Sequence, residues 1–473
     1  MSAACGVAGA PIGHRRILRI ATPIMLSNAT VPLLGAVDTA AVGQMGAAAP
    51  IGAVGLGAAA IGLAYWAFGF LRMGTTGLAA QARGAGDEAE SGAVLARGLL
   101  IALCAGAAIV LLGGAIVAVT LALSPASAKV EAMTADYLSL RLWGAPAAIS
   151  VYALTGWLIA AERTRAVLAL QLWMNGLNAA LDAWFVLGLG WGVSGVAAAT
   201  LAAELSGAAL GLWLCRSAFA ALWRGAAARA GAGARAGRRA LALVLDRARL
   251  RRMAGVNADI LVRSVLLEAG LAFFVFRSAA AGDAALAANQ VLLQFLMICA
   301  YALDGFAFAA EALVGQAFGA RDPAALRRAA MLSARWGLGC ATALSGAFAL
   351  GGGAAIDLMA AAPEVRLTAR EFLPWVVALP LAGLPAWMLD GVFIGATRTR
   401  DMRVAMMQSV PVYALAWAAL TPLMGAHGLW AALTVFFAAR GATLALRYPA
   451  LERAAAGCES GGALTESSAG RCR

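Results

Sequence analysis

Charge is scarce in this chain. Only 13% of its 473 residues are Asp, Glu, Lys or Arg, against 62% hydrophobic; an average soluble domain carries about 25% charged residues. So little polar surface excludes a water-soluble globule and points to many membrane crossings. Histidine is rarer still: His14 and His427 are the only two, both outside or at the edge of apolar runs. With no nucleophile–base pair or metal-ligand cluster around them, an integral-membrane enzyme is disfavoured and no metal centre is expected. The seven cysteines show no paired spacing, which argues against a disulfide framework or a zinc site. Cys104, Cys299 and Cys340 fall inside apolar runs and read as small core residues. Acids are also in deficit, giving a net charge of +12. Ten arginines crowd between Arg216 and Arg252, and most others flank apolar runs. That is the pattern of charge retained in cytoplasmic loops, not of a nucleic-acid surface.

What remains is long apolar sequence. A membrane helix takes about 20 apolar residues, so the chain holds about twelve. Spans are expected near 20–43, 51–72, 98–122, 137–160, 166–188 and 193–215, then near 254–278, 285–312, 333–357, 372–396, 404–424 and 428–447. Loops after even-numbered spans carry Arg83 and Arg97, Arg163 and Arg165, the 216–252 cluster, Arg321, Arg327 and Arg328, and Arg398, Arg400 and Arg403. Among loops after odd-numbered spans, Gly43-Gln44-Met45-Gly46 and Gly188-Leu189-Gly190-Trp191-Gly192 carry no charge. Both termini are therefore expected in the cytoplasm, at an inner membrane. The charged patch His14-Arg15-Arg16-Arg19 runs straight into a long span, so the first helix is expected to act as anchor and targeting signal. The expected organisation is a short N-terminus (1–19), a six-helix lobe (20–215), a basic cytoplasmic linker (216–252), a second six-helix lobe (253–447) and a disordered cytoplasmic tail (448–473). The linker reads as flexible at its start, with an amphipathic helix over Leu241 to Leu250. The 55 glycines suit close helix packing, and Pro32, Pro146, Pro380 and Pro385 are expected to kink their spans.

The two lobes share sequence. Gln81-Ala82-Arg83-Gly84-Ala85-Gly86-Asp87 returns as Gln316-Ala317-Phe318-Gly319-Ala320-Arg321-Asp322, and Glu162-Arg163-Thr164-Arg165 returns as Thr397-Arg398-Thr399-Arg400. Both matches are 235 residues apart. Two matches at one offset indicate a duplicated six-helix unit whose copies share one orientation. Repeats of this kind build secondary transporters, which hold substrate between them.

Ionisable groups inside a span cost about 2.5–3.5 kcal/mol at its centre on insertion scales, so each needs a reason. Asp38 lies in the outer part of the first span. Asn175, Asn178 and Asp182 follow at i, i+3 and i+7 on one face of the fifth. Thr200 and Glu204, one turn apart in the sixth, fall near the same depth. The eighth span carries a stripe of Gln290, Gln294, Tyr301, Asp304 and Glu311, which is expected to face water or a polar cavity. Glu268 and Asp390 are further acids of the second lobe, and Arg263 could neutralise one of them.

Val37-Asp38-Thr39-Ala40, Phe70-Leu71-Arg72-Met73-Gly74-Thr75-Thr76-Gly77, Gly188-Leu189-Gly190-Trp191-Gly192-Val193 and Leu389-Asp390-Gly391-Val392-Phe393-Ile394-Gly395-Ala396-Thr397-Arg398 together resemble the multidrug and toxic compound extrusion (MATE) transporters, within them the DinF-type branch. The resemblance runs from about residue 15 to residue 447. It implies an all-α integral membrane fold of twelve transmembrane helices in two pseudo-symmetric six-helix bundles, and export of cationic amphiphiles in exchange for protons or sodium. It also implies a cation site similar to Asp38, Asn178, Asp182 and Thr200, the group that depth and helical phase had already gathered. The expected function is a cation-coupled antiporter, proton rather than sodium, with Na+ at Asp38 and Asp182 as the other possibility. It is expected to work as a monomer in the bilayer, without a cofactor, on a small cationic substrate. A lipid-linked saccharide flippase of the same superfamily is the alternative. It would call for a strongly cationic cavity, whereas the spans carry mainly acids.

Overall fold

The computed structural model describes residues 11–30, 38, 40–44, 47–124, 126–230 and 233–457. Pro32, expected to kink the first span, lies outside them. The first span comprises α1 (His14–Ala29) and a helical stretch at 40–43. Then come α2 (Ala48–Trp66), a 3-10 turn (Ala67–Gly69), α3 (Phe70–Gly84), α4 (Glu88–Leu111), α5 (Gly113–Leu123), α6 (Ala128–Arg141), α7 (Ala145–Ala160), α8 (Thr164–Asp182) and α9 (Gly192–Leu214). The linker forms α10 (Arg216–Ala230) and α11 (Ala234–Val244). The second half is α12 (Arg247–Ala279), α13 (Asp283–Gly319), α14 (Pro323–Met359), α15 (Pro363–Gly395), α16 (Thr399–Met424) and α17 (His427–Ala455).

Nine helices among the described residues are long and apolar enough to cross a bilayer by length and composition alone. The first span, described only in part, the polar α8 and the arginine-bearing α12 are not among the nine. With them the chain has twelve spans, six in each half. Leu111, Leu350 and Leu446 stand almost fully exposed on helices of this kind, a surface that lipid covers and water would not tolerate as a continuous band.

The duplication extends to the backbone. Helices begin at Ala48 and Asp283, Glu88 and Pro323, Ala128 and Pro363, Thr164 and Thr399, and Gly192 and His427, every pair at the same 235-residue offset. Left-handed residues recur at that spacing too: Gly86 and Arg321, Glu162 and Thr397, Gly190 and Gly425. Such a residue lets a helix end with its last carbonyls bonded back. Asp87 N donates to Ala82 O at 2.9 Å, and Asp322 N to Ala317 O at 3.0 Å. Arg163 N to Leu158 O (2.8 Å) and Arg398 N to Phe393 O (3.0 Å) repeat the pattern. Three of these six left-handed residues are not glycine, so the turn geometry is enforced by packing rather than by an easy backbone.

The repeated Gln-Ala-x-Gly motif explains itself by contact. A Cβ on Gly84 would lie 1.9 Å from the Gln316 carbonyl oxygen, and one on Gly319 would lie 2.0 Å from that of Gln81. Each glycine thus receives the backbone of the other copy's glutamine. Gln81 Nε2 donates to Gly395 O (3.1 Å) and Thr397 Oγ1 (2.9 Å), while Gln316 Oε1 accepts from Arg16 Nη2 (2.9 Å). The motif is a helix-packing device.

The structure corrects several expected boundaries. The linker is helical from Arg216 rather than flexible, and its amphipathic helix is Ala234–Val244, ending before Leu250. Arg97 is no loop residue: it is buried in α4, paired with Glu90, and caps α11 by donating to Leu243 O (2.8 Å) and Val244 O (3.1 Å). Arg83 belongs to the last turn of α3. The tail stays helical through Pro449 to Ala455. Pro146 sits at the start of α7, just after the 3-10 turn that breaks the Ala128–Ala160 span, and Pro380 and Pro385 lie inside α15. Cys299 is buried as expected, but Cys104 is exposed. By compactness, the described residues form one unit from Arg19–Ala79 and Glu88–Leu261, and another from the residues up to Leu18, Ala80–Asp87 and those from Val262 onward. The units part inside α12, and the linker belongs wholly to the first.

Candidate functional site: a carboxyl pair in the first half

Three spans converge on one polar cluster in the first unit. The first span supplies Asp38; α8 supplies Asn178 and Asp182, one turn apart; α9 supplies Thr200. Asn178 and Asp182 are fully buried, and Asp38 and Thr200 nearly so, at 9% and 6% exposed. The Asn178 amide is oriented by its neighbours. One end of this amide lies 3.0 Å from Asp38 Oδ1 and 3.2 Å from Asp182 Oδ2 and the other 3.1 Å from Thr200 Oγ1; with the nitrogen assigned to the acids, it donates to both. One amide therefore satisfies both acids and fixes the spacing between them.

The two carboxyls also lie within hydrogen-bond reach of each other. Two bare carboxylates so close repel strongly, and a single shared proton turns repulsion into a hydrogen bond. Asp182 Oδ1 is buried and has no donor among the described residues, which leaves it as an acceptor for such a proton. α8 then widens into a π-helical segment, Ala183–Gly188, directly after Asp182. Rings of Phe185 and Trp191 stack over this turn with centroids 4.8 Å apart. Segments of this type concentrate at functional sites, where they re-aim side chains. Nothing in the polar periodicity foretold it.

Two of the expected residues have other partners. Asn175 donates to Thr30 O (3.1 Å) and accepts from Gln171 (2.9 Å), tying α8 to the end of α1. Glu204 forms a two-pronged ion pair with Arg141, at 2.7 and 2.9 Å. Gly144 makes the seat for it, since a Cβ there would lie 2.2 Å from Glu204 Oε2. Arg141 lies inside the expected span 137–160, but nothing in the sequence pointed to its acid, 63 positions away.

In the second unit, Asp390 is held from two sides. Arg263 donates to its Oδ2, as expected, and so does Arg440 of α17 at 2.8 Å. Arg440 escaped the sequence reading. Glu268 is exposed and belongs to no ion pair among the described residues. The α13 stripe changes character along its length: Gln290 and Gln294 are exposed, Tyr301 and Asp304 half-buried, and Glu311 is 1% exposed. Leu292 and Leu303 between them are buried. The stripe is thus exposed only at its start, and packing encloses Glu311. A further buried network went unforeseen: Trp430 donates to Asn289 Oδ1 (2.9 Å), whose amide donates to Ser278 (2.8 Å).

A family model named MatE matches residues 23–184 and 261–419. The chain is 37% identical to the DNA damage-inducible protein F of Escherichia coli over 415 residues, 88% of this chain and 87% of that protein. It is 31% identical to a probable multidrug resistance protein NorM of Bradyrhizobium diazoefficiens, covering 92% and 93% of the two chains. Among solved structures, the bent form of the Vibrio cholerae MATE transporter VcmN superposes with a TM-score of 0.80 at 18% identity, covering 93% of this chain and 97% of that one. The structural likeness speaks for the fold, and the sequence matches speak for descent. This chain belongs to the MATE family of membrane transporters, in its DinF-type branch.

Proposed function

We propose that this transporter is a proton-coupled antiporter that exports cationic amphiphiles across an inner membrane, with both termini in the cytoplasm. The observation that carries the reading is the Asp38–Asp182 pair bridged by one Asn178 amide. Asp38 is the member with residual exposure and Asp182 the sealed one, so a proton enters and leaves through Asp38 and is stabilised by Asp182. Losing it leaves two negative charges within reach of each other, and an organic cation relieves that repulsion. Proton and cation thus compete for the same acids, and each weakens the other's binding reciprocally.

Sodium is the second candidate for the coupling ion. It would take the carboxylate oxygens of Asp38 and Asp182 with the Thr200 hydroxyl. One proton satisfies two carboxyls that lie within hydrogen-bond reach of each other, which favours the proton. The multidrug wording comes from the NorM relative's name, and the cationic class from the acidic charge of the cluster.

The test is efflux of a fluorescent organic cation from vesicles of reconstituted protein, with a pH gradient and a sodium gradient imposed separately. Export driven by the pH gradient alone supports the proposal. Export driven only by sodium would move the coupling to the other ion, and no export under either gradient would refute the function.

A further inference from the structure

The charges around Asp390 do not balance. One carboxylate oxygen accepts from both Arg263 Nη2 and Arg440 Nη2. With two guanidinium groups on one carboxylate, the three side chains carry one net positive charge. Glu268, five residues along α12 from Arg263, points elsewhere and is exposed. Each guanidinium also keeps an unused donor. Arg440 Nη1 and Arg263 Nε are buried and have no hydrogen-bond partner among the described residues. Arg440 is 2% exposed and Arg263 7%, so bulk water does not serve these N–H groups. The Phe436 and Phe437 rings lie 5.8 and 5.2 Å from the Arg440 guanidinium. They accept charge through their faces but leave the N–H edge open.

A net positive charge inside a membrane span is costly and marks a functional place by default. The fork of N–H groups fits planar or tetrahedral oxyanions better than any other charge-balancing partner. We propose that Arg263 and Arg440, spaced by Asp390, form an oxyanion-binding site for a phosphate-type group, carried either by a free anion or by a lipid headgroup. Asp390 is the spacer that holds the two guanidinium groups together in the empty state. The side chains of Arg263 and Asp390 keep 9% and 11% of their surface, so the cluster is not wholly sealed. The site is independent of the carboxyl pair in the first half and of which cation that pair couples to.

The test uses the purified full-length transporter and inorganic phosphate as probe, with Tm followed at constant ionic strength. The wild-type Tm should rise saturably with phosphate, since a ligand that binds only the folded state stabilises it by mass action. Arg440→Gln restores a balanced Arg263–Asp390 pair and should lose the response. Asp390→Asn leaves two uncompensated guanidinium groups and should enlarge it. Arg440→Lys keeps the charge without the fork and should respond more weakly, which covers the case in which Arg440→Gln does not fold. A parallel series in nanodiscs of phosphatidylcholine with or without phosphatidylglycerol identifies the source. A rise with phosphatidylglycerol alone assigns the site to a lipid headgroup, and a rise with phosphate assigns it to a free anion. No rise with either, or equal rises in wild type, Arg440→Lys and Asp390→Asn, would overturn the proposal and leave a closed structural clamp.

Discussion

Replacing Asp38 with Asn is the sharpest way to separate chemistry from architecture at the carboxyl pair. Asn keeps the shape of Asp and an oxygen to accept from the Asn178 amide, now 3.0 Å from Asp38 Oδ1. Its own N–H can point at Asp182 where the shared proton would be. Every hydrogen bond in the cluster can be kept, so the stability change should stay within about 1 kcal/mol. The coupling should vanish, because the variant never exchanges its proton. A gradient of one pH unit supplies about 1.4 kcal/mol per proton, a tenfold concentration ratio at one-for-one exchange. At two units the wild type should build a cation ratio of about a hundredfold, and Asp38→Asn a ratio of about one. Asp182→Asn should fail equally, since the two acids hold one proton between them. The assay is cation accumulation in vesicles, normalised to folded protein in the same preparation. A hundredfold ratio retained by Asp38→Asn would refute the shared-proton argument. A wild-type ratio of about ten-thousandfold, two protons per cation, would mean that each acid carries a proton of its own.

The remaining expectations concern the frame around the site. Gly84→Ala and Gly319→Ala each drive a methyl group into a glutamine carbonyl of the other repeat, at 1.9 and 2.0 Å. Backbone must shift, so each should cost about 1–3 kcal/mol, read as a lower Tm for both variants. Arg141→Leu strands Glu204 in a buried seat and should cost about 3–5 kcal/mol, while Arg141→Leu with Glu204→Leu should recover much of that in a double-mutant cycle. Equal losses in the single and double variants would deny the pair. Orientation can be read by thiol labelling: Leu189→Cys, in the uncharged turn after Asp182, should react with an impermeant reagent in intact cells. Cys458, beyond the described residues, should not.

Legibility followed the kind of physics involved. Burying an ionisable group is costly wherever it happens, so Asp38, Asp182, Glu204 and Asp390 stood out from an apolar background. Helical phase then joined Asn178 to Asp182 and left only the depth argument to bring in Asp38 and Thr200. Partners were another matter. Arg141 and Glu204 are 63 residues apart, and Asp390 and Arg440 are 50 apart. No local pattern links them, because contact across helices is decided by packing. The sequence likewise marked where the bilayer is crossed but not where helices stop. Their continuations, such as α17 from residue 447 to Ala455, depend on Ala-rich helix propensity and on caps rather than on hydropathy. The linker misled for the same reason. Its Ala-Gly-Arg composition hid a helix whose carbonyl end is capped by Arg97, from a different part of the chain.

The 235-residue correspondence carries one further step. It holds for helix starts, for left-handed turns and for the paired glycines, yet it fails at the chemistry. The positions that match Asp38, Asn178 and Asp182 are Phe273, Tyr413 and Trp417. These three also meet one another: Phe273 packs edge-on against Tyr413 at 5.4 Å and against Trp417 at 5.3 Å. The same junction of spans is therefore polar in one half and aromatic in the other. The arginine clamp shows the reverse substitution, since Arg263, Asp390 and Arg440 match Asn28, Thr155 and Leu205. Backbone geometry had to stay common to both copies, because the turns and glycine contacts are what allow six helices to pack at all. Side chains inside each bundle needed only to be satisfied, by a shared proton and an amide in one copy and by ring faces in the other. An internal duplication can thus keep its frame while placing an acidic device in one half and a basic one in the other. If a single carboxyl pair does the coupling, the second half is free to recognise something of opposite charge.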